Sequence, residues 1–201
     1  MIAVIDYGMG NLRSVQKALE KVGAQARITD DAQEVRTAAK IVLPGVGAMA
    51  PAMARLRELG LTDALRAAVD GGAPLLGICL GYQLLFDRSD EGGNSDGLGM
   101  IKGHVKRFTH GKVPHMGWNQ LHIRQEDCPL FKDVPEGSEV YFCHSYYVDP
   151  TDVKDVAAAT DYGIDFASAI CRGHVYGLQF HPEKSQTVGL SILKNFVEAV
   201  S

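Results

Sequence analysis

The stretch LLGICLGYQLLF at residues 75–86 decides the fold of this chain. Its first part is a short apolar run of the kind that becomes a buried strand, and residues 80–87 have helical character. Gly77 and Gly81 stand two residues to either side of Cys79 and permit a tight turn between the two elements. The stretch therefore predicts a strand–turn–helix unit with Cys79 at the start of the helix.

The same alternation of strands and helices extends from this stretch to the N-terminus. Asn11 precedes a helical pattern and is placed to cap it, and Gly23 is placed to end it. The resulting βαβαβ order predicts a mostly parallel sheet with helices on both faces. The strands are predicted at 2–6, 26–29 and 41–43, and the helices at 12–22, at 32–39 and twice within 49–69.

The second half of the chain changes character and predicts several antiparallel strands. Asp90–Gly99 has the composition of a loop. Because 201 residues match the usual size of one domain, we expect a single domain over residues 1–201, with a three-layer αβα structure and a mixed, largely parallel central sheet. The further strands are predicted at Glu139–His144, Val153–Ala158, Ala167–Ile170 and Val175–Phe180, and a closing helix at Val188–Val200.

The balance of charge argues against nucleic acid as the partner. Lys and Arg number 20 against 24 Asp and Glu, a formal net charge of −4, whereas domains that bind phosphate backbones are strongly basic. The N-terminus lacks the basic start and apolar core of a secretory signal, and no apolar run approaches the roughly 20 residues that span a bilayer. We therefore expect a cytoplasmic protein that binds neither nucleic acid nor a membrane.

The cysteines and histidines give no metal pattern. The cysteines contain no C-x-x-C pair, so a zinc ribbon or thioredoxin-type redox site has no support. No pair of His104, His110, His115 and His122 has ligand spacing, and we expect these side chains to be solvated or locally hydrogen-bonded. We expect neither a metal nor a cofactor, and each cysteine is then a small core residue or a reagent. The cysteines are Cys79, Cys128, Cys143 and Cys171.

Residues 77–81 have the form glycine–x–nucleophile–x–glycine, which is typical of a nucleophile elbow. At the N-terminus of a helix, the positive end of the dipole and the free N–H groups favour a thiolate at Cys79. The next amide, Leu80 N–H, would face an oxyanion. The pattern equally describes a buried cysteine between two glycines that pack closely, and by itself it leaves both interpretations open.

His181-Pro182-Glu183 follows the apolar run VYGLQF, and the proline ends the predicted strand. Open α/β sheets place their sites at the edge where such strands end. There a histidine can take a proton from a thiol, and a carboxylate two residues on can orient the imidazole. An exposed His-Pro-Glu turn is the plainer alternative.

IVLPGVG at 41–47 is a second strand that runs into a glycine-flanked turn. A turn of this kind can direct a backbone N–H at a developing oxyanion, and it can equally be an ordinary loop between a strand and a helix. A dinucleotide loop is disfavoured because Arg13 stands where the third glycine after Gly8 and Gly10 would be.

Three motifs in order resemble those of the class-I (triad) glutamine amidotransferases: PGVG at 44–47, GICLGYQLL at 77–85 and GLQFHPEKS at 177–185. Further stretches, IDYGMGNLRSV at 5–15, VPHMGWNQL at 113–121 and YFCHSYY at 141–147, resemble the glutaminase subunits of imidazole glycerol phosphate synthases. With these, the resemblance covers essentially the whole chain. It implies a flavodoxin-like αβα fold and hydrolysis of L-glutamine to glutamate and ammonia.

The resemblance also implies roles for individual residues. Cys79 would attack the glutamine amide and form a γ-glutamyl thioester, His181 would pass the thiol proton to the departing ammonia, and Glu183 would hold the imidazole. The oxyanion hole would be formed by backbone amides, and the glutamine would be held by one side chain and by backbone. The implied oxyanion residues are Val46, Gly47 and Leu80, and the implied glutamine contacts are Gly47, Gln83, Ser145 and Tyr146.

A partner follows from the same resemblance. The ammonia would pass into a cyclase subunit, a (β/α)₈ barrel bound as a heterodimer, for the synthesis of imidazole glycerol phosphate and AICAR in histidine biosynthesis. Trp118, the single tryptophan, would anchor this interface, although a core position is an equal alternative from sequence alone. The implied docking residues are Asn11, Met116, Trp118, Tyr141 and Lys184.

Three other functions stay open at this point. The same chemistry can serve another acceptor, as in anthranilate, aminodeoxychorismate, GMP or pyridoxal phosphate synthesis, although DYGMGN and HMGWN are typical of the imidazole glycerol phosphate synthase type. A stand-alone cysteine hydrolase of the γ-glutamyl type would be active without a partner. A non-catalytic binding module is disfavoured by the intact triad.

Overall fold

The computed structural model describes residues 1–200. In this part of the chain, strands and helices alternate up to residue 84, and strands dominate afterwards. The strands are β1 Ile2–Ile5, β2 Ala26–Thr29, β3 Lys40–Gly45, β4 Leu75–Cys79, β5 Phe86–Ser89, β6 Ser95–Asp96, β7 Ile101–Arg107, β8 His115–Gln120, β9 His122–Ile123, β10 Glu139–His144, β11 Tyr146–Pro150, β12 Val156–Asp161, β13 Asp165–Arg172 and β14 Val175–Leu178. The helices are α1 Leu12–Lys21, α2 Ala32–Arg36, α3 Met49–Glu58, α4 Leu61–Asp70, α5 Leu80–Leu84 and α6 Gln186–Glu198.

The main sheet is parallel in its first half and mixed in its second. Its strand order is β2-β1-β3-β4-β14-β13-β11-β7-β5-β6. The strands from β2 to β14 run parallel to their neighbours, and β13 and β11 pair antiparallel. This arrangement confirms the predicted α/β class with a mixed, largely parallel sheet.

Two apolar clusters cover the two faces of the parallel half. Val4 of β1 packs in one cluster with Leu19 of α1 and Phe196 of α6. The adjacent Ile5 points to the other cluster, which contains Met53 of α3 and Leu65 of α4. Neighbouring strand residues face opposite sides of a sheet, so the apolar run of β1 is buried on both faces, and the three layers follow.

The predicted helix after Cys79 is too long. Helix α5 ends at Leu84, and β5 begins at Phe86. The N–H of Leu98 donates to Leu84 O at 2.7 Å, and the N–H of Ile101 donates to Leu85 O at 3.0 Å. A returning segment therefore captures carbonyls that a longer helix would use. Pairing with β7 overrides the local helical pattern.

Other boundaries also differ from the predictions. Residues 153–155 form a 3₁₀ turn because the Asp152 carboxylate accepts from Lys154 N, and the strand begins only at Val156. Strand β11 was not predicted, and the expected loop 90–99 contains β6, which closes a short hairpin with β5. Asn11 precedes α1, but within residues 1–200 its side chain makes no capping hydrogen bond.

Strands β8 and β10 form a separate antiparallel pair, here called the β8–β10 ribbon (His115–Gln120 and Glu139–His144). Trp118 lies opposite Tyr141, and His115 lies opposite His144. Alternation along β8 buries His115 and leaves Met116 60% and Trp118 46% exposed. The ribbon therefore exposes Met116 and Trp118 on its outer face and buries His115 and His144, together with Val140 and Phe142, on its inner face.

Candidate active site

Cys79 lies at the sharp turn between β4 and α5. Its backbone adopts φ 55° and ψ −110°, a conformation that residues other than glycine rarely take. A Cβ on Gly81 would lie 1.7 Å from Leu43 O, and one on Gly77 would lie 2.7 Å from Gly81 O. Both glycines are therefore required by close packing, and the turn directs Cys79 away from the sheet.

The fold brings His181 to this turn from 102 positions along the chain. Strand β14 pairs with β4, with Leu178 opposite Ile78, so both strands end at the same edge. His181 N donates to Tyr141 O at 2.9 Å, and Ser185 Oγ donates to His181 O at 2.7 Å. These bonds fix the backbone that carries the imidazole.

Glu183 orients the imidazole. His181 Nδ1 lies 2.9 Å from Glu183 Oε1, and both side chains are almost fully buried. A carboxylate only accepts, so Nδ1 carries the proton and Nε2 is directed at the Cys79 side. The nucleophile, the base and the orienting carboxylate thus stand in one row, the arrangement of a catalytic triad.

The electrostatics of His181 are set by opposing effects. Burial, the largest of them, lowers its pKa, but interaction with the Cys79 sulfur and with Glu183 outweighs it and raises the pKa to about 10. The site therefore favours a protonated His181 beside the Cys79 sulfur. Such a pair supplies a nucleophile and a proton donor together, which acyl transfer from an amide requires.

A cavity of about 370 Å³ opens over Cys79 and His181. Its volume suits a small amino acid rather than a nucleotide. All of the residues expected in the oxyanion hole and around glutamine line it: Val46, Gly47, Leu80, Gln83, Ser145 and Tyr146. Lys184, expected on the docking face, lines it as well.

Gln83 is held in place at the wall of this cavity. Its Nε2 donates to Tyr146 O at 3.0 Å and to Gln179 Oε1 at 3.0 Å. With both amide hydrogens used, its Oε1 remains to accept from a ligand. Gln179 was not predicted, because its role depends on a contact across 96 residues.

The sequence analysis also missed Glu91. This residue lines the cavity, and its Oε2 accepts from Met49 N at the start of α3 at 2.7 Å. It lies in the segment expected to be a loop, and its carboxylate is the negative group beside the substrate space. An acidic residue in a glycine-rich segment was the available signal, but it did not distinguish Glu91 from its exposed neighbours.

The residues expected at a docking face lie beside the cavity. Tyr141 and Trp118 pack edge to face at 6.1 Å, and Lys184 Nζ stands 5.7 Å from the Tyr141 ring centroid. Asn11 lies near Val46 and Glu183 in a narrow crevice beneath the triad. Trp118 is half exposed, so the alternative of a core tryptophan is wrong.

The other cysteines and histidines take varied positions. Cys143 lines the cavity, and its carbonyl oxygen is 3.8 Å from Cys79 Sγ. Cys128 is buried elsewhere and Cys171 is half-buried. His115 is buried in an aromatic cluster and hydrogen-bonds to nearby Asn119, which is the second of the two environments predicted for these histidines.

Residues 1–200 offer neither a metal centre nor a membrane-spanning helix. They contain no group of three or more His, Cys, Asp or Glu side chains arranged to hold a metal ion. None of their helices combines the length and apolar character needed to cross a membrane.

Known proteins resemble this chain over nearly its whole length. The chain is 53% identical over 200 residues to "Imidazole glycerol phosphate synthase subunit HisH" of Moorella thermoacetica, covering 99% of this chain and 95% of the relative. It is 54% identical to the protein of the same name from Syntrophotalea carbinolica, with 98% of each chain covered. The HisH subunit of a Synechocystis strain is 52% identical over all of this chain and 97% of its own length.

Solved structures share the fold. A "Crystal structure of glutamine amidotransferase" superposes with a TM-score of 0.79 at 21% identity, covering 100% of this chain and 99% of the other. The "Structure of PurLQS from Thermotoga maritima" gives a TM-score of 0.77 at 20% identity over 100% of this chain and 98% of that one. The family model "Glutamine amidotransferase class-I" matches residues 3–200. The chain belongs to the class-I glutamine amidotransferase family.

Proposed function

We propose that this chain is the glutaminase subunit of imidazole glycerol phosphate synthase, which hydrolyses L-glutamine and delivers ammonia to a cyclase subunit in the cytoplasm. The observation that carries the proposal is the row Cys79–His181–Glu183 at the edge where β4 and β14 end. The relatives named HisH, which share about half of their residues with this chain, favour the cyclase of an imidazole glycerol phosphate synthase as the acceptor of the ammonia.

Glutamine fits the chemistry of the cavity walls. The Glu91 carboxylate suits the α-ammonium group, and the free Oε1 of Gln83 suits a further N–H donor of the substrate. The backbone of Ser145 and Tyr146, together with Gly47, holds the rest of the molecule. This places the side-chain amide over Cys79.

The reaction begins with Cys79 Sγ attacking the amide carbon. The thiol proton has already passed to His181 Nε2, and the C=O π electrons move to oxygen as the C–S bond forms. His181 then donates its proton to the amide nitrogen, the C–N bond breaks, and ammonia leaves a γ-glutamyl thioester. Water, deprotonated by His181, cleaves the thioester to glutamate and restores the thiol.

Backbone amides stabilise the oxyanion of the tetrahedral intermediate. Leu80 N–H at the start of α5 is one donor, and the segment Val46–Gly47 at the end of β3 supplies the other. Each such donor contributes roughly 10²–10³ in rate. Gly47 has φ +96°, a conformation that lets this segment turn an N–H toward the cavity.

The β8–β10 ribbon is the surface that meets the cyclase. Met116 and Trp118 are exposed apolar side chains, and aromatic anchors are enriched at interfaces. Cys143 and His144 of the ribbon line the cavity, and Lys184, which also lines it, stands over the Tyr141 ring of the ribbon. A cyclase seated here would receive ammonia before solvent protonates it to ammonium.

The test is glutamine hydrolysis by Cys79→Ala and by the unaltered chain, each with and without the cyclase and its nucleotide ligand. Adding the cyclase is expected to raise hydrolysis by the unaltered chain by orders of magnitude. Cys79→Ala is expected to lower kcat about 10⁴-fold or more while leaving the fold and cyclase binding intact. Cys171→Ala, half-buried outside the cavity, is the matched control and is expected to stay active.

Two outcomes would count against the proposal. Unchanged glutamine turnover by Cys79→Ala would remove the proposed mechanism. High basal turnover that the cyclase does not alter would favour a stand-alone hydrolase instead.

A further inference from the structure

Two buried histidines form a hydrogen-bonded chain behind the glutamine cavity. His144 ends β10, and His115 begins β8 directly opposite. His115 Nδ1 lies 2.9 Å from His144 Nε2, and His144 Nδ1 lies 2.7 Å from Tyr146 O. At the other end, Asn119 Nδ2 lies 3.3 Å from His115 Nε2. None of these contacts takes part in the proposed chemistry.

The direction of every bond in the chain can be derived from either end. Tyr146 O can only accept, so His144 Nδ1 carries a hydrogen and, in the neutral ring, Nε2 is an acceptor. His115 Nδ1 must then donate to it, which leaves His115 Nε2 as the acceptor from Asn119. The donor and acceptor roles are therefore consistent at every hydrogen bond from Tyr146 O to Asn119.

The Asn119 end leads to the same assignment independently. Its Nδ2 also donates to Asp161 O at 2.9 Å, and its Oδ1 accepts from Gln120 N at 2.8 Å. The amide orientation is therefore fixed, and Nδ2 presents a hydrogen to His115 Nε2. Burial lowers the pKa of His115 to about 4 and that of His144, the more enclosed ring, to about 3, so both rings are neutral at physiological pH.

The chain ends on the backbone that lines the cavity. Tyr146 O accepts from His144 on one side and from Gln83 Nε2 on the other. A carbonyl oxygen has two lone pairs, so this one is saturated and its peptide is held from both sides. The same segment, Ser145–Tyr146, borders the cavity in which glutamine is proposed to bind.

We infer that His115 and His144 are positioning residues, which form a relay from Asn119 to Tyr146 O and hold the Ser145–Tyr146 backbone in the orientation that receives glutamine. This inference rests on the proposed function. The relay does not touch the reacting atoms, so its loss weakens glutamine binding more than it slows the chemical steps.

Aromatic packing makes a clean substitution available. The His115 ring stacks on Tyr162 at 3.9 Å and on Phe142 at 4.8 Å. His115→Phe keeps both stacks and removes the bonds to His144 and Asn119, both of which belong to the chain described above. His144→Phe removes the donor to Tyr146 O, and His144→Gln retains both a donor and an acceptor. Tyr162→Phe loses only an exposed hydroxyl bond to Lys112 O and is the matched control in the same cluster.

The experiment is steady-state glutamine hydrolysis by the complex of this chain with the cyclase. His144→Phe and His115→Phe are each expected to raise the KM for glutamine about tenfold, the usual cost of orphaning a buried hydrogen-bonding group, with kcat changed less than about threefold. His144→Gln is expected to restore most of the loss, and Tyr162→Phe to resemble the unaltered chain. The double variant is expected to match His144→Phe alone, because both substitutions break one chain.

A second measurement separates this inference from the proposed function. Glutamine binding is measured by calorimetry in the Cys79→Ala complex, with and without His115→Phe. Failure of Cys79→Ala itself to bind glutamine would count against the proposed function. Binding that His115→Phe leaves unchanged, or a loss of kcat with KM unaltered, would overturn the relay. If His144→Phe does not fold, His115→Phe with its stacks intact decides the question.

Discussion

At the scale of single residues, Cys79 is held in a conformation that opposes folding. A backbone conformation of φ 55° and ψ −110° at a residue other than glycine lowers the stability of the fold by on the order of 1–3 kcal/mol. The surrounding sheet offsets this cost, since β4 is paired on both sides up to the turn, with Gly45 opposite Cys79 in β3. The strain places Sγ outside the sheet and frees the first N–H groups of α5 for an oxyanion.

This strain predicts an unusual order of stability between two inactive variants. The free energy of unfolding of Cys79→Gly is expected to be about 1 kcal/mol larger than that of Cys79→Ala. Glycine is the more stable variant here because it adopts a positive φ without a Cβ clash. At an unstrained position the order reverses. Urea unfolding of both proteins measures the difference, with Ala67→Gly against the unaltered chain as the control inside α4. Equal stability of the two Cys79 variants would mean that the turn relaxes and stores no strain.

Some residues of the site can be identified from a short sequence motif, whereas others depend on contacts with distant parts of the chain. Cys79 with its glycines and His181 with Glu183 lie in short motifs whose turns determine their direction, so their sequence pattern is informative. Gln179 holds the cavity residue Gln83, and Glu91 lines the cavity, and both depend on contacts with distant parts of the chain. No local pattern encodes such pairings, and neither residue was found.

At the scale of elements, the β8–β10 ribbon carries the proposed docking surface on one face and the proposed histidine relay on the other. Along β8, side chains alternate between an exposed set with Met116 and Trp118 and an inward set with His115. Period-two alternation fixes this division. A shift of the register by one residue would bury Trp118 and expose the relay.

The outer face gives a prediction about association. Trp118→Ala is expected to raise the Kd for the cyclase by about thirtyfold, or about 2 kcal/mol, the usual loss at an aromatic hot spot. The free energy of unfolding of the isolated chain should change little, because Trp118 is half exposed. Titration calorimetry measures the first and urea unfolding the second.

Val153→Ala is the matched control for this variant. Val153 is an exposed apolar residue in the 3₁₀ turn after β11, outside the ribbon. Its substitution is expected to leave the Kd unchanged. If both variants bind the cyclase as the unaltered chain does, the docking surface lies elsewhere.

Element boundaries were predictable where one chain segment determines them. Strand β2 and the pair α3 and α4 have the expected limits, because their apolar spacing and flanking glycines are local. The C-terminal limit of α5 was wrong, because residues 98–101 capture its last carbonyls. That competition arises only when β5 and β7 meet.

At the scale of the molecule, the site lies where the parallel half of the sheet meets the antiparallel half. Strands β3, β4 and β14 end together and carry the proposed oxyanion segment, the proposed nucleophile and the proposed base. Beyond β14 the sheet continues through β13 and β11, and β11 begins with Tyr146. The parallel half therefore provides the reactive groups, and the antiparallel half provides the opposite wall of the cavity.

The same architecture buries two neutral histidines and so predicts how stability depends on pH. The pKa values of His115 and His144 lie near 4 and 3 in the folded chain, below the 6.5 of an ordinary histidine. The unfolded chain therefore binds protons first as the pH falls. Their full contribution to stability is present above pH 6.5 and is lost progressively as the pH falls toward 4.

The expected result is a fall in the free energy of unfolding of about 1–2 kcal/mol for each of the two histidines between pH 7 and pH 5. Carboxylates titrate mostly below this window. His181, whose pKa is raised to about 10 in the folded chain, acts in the opposite direction and offsets part of the fall, because its folded form already holds the proton. Urea unfolding at both pH values measures the change. His115→Phe should remove about half of the difference while keeping the ring stacks. If the variant shows the same dependence as the unaltered chain, His115 is protonated in the folded state, and the neutral relay does not exist.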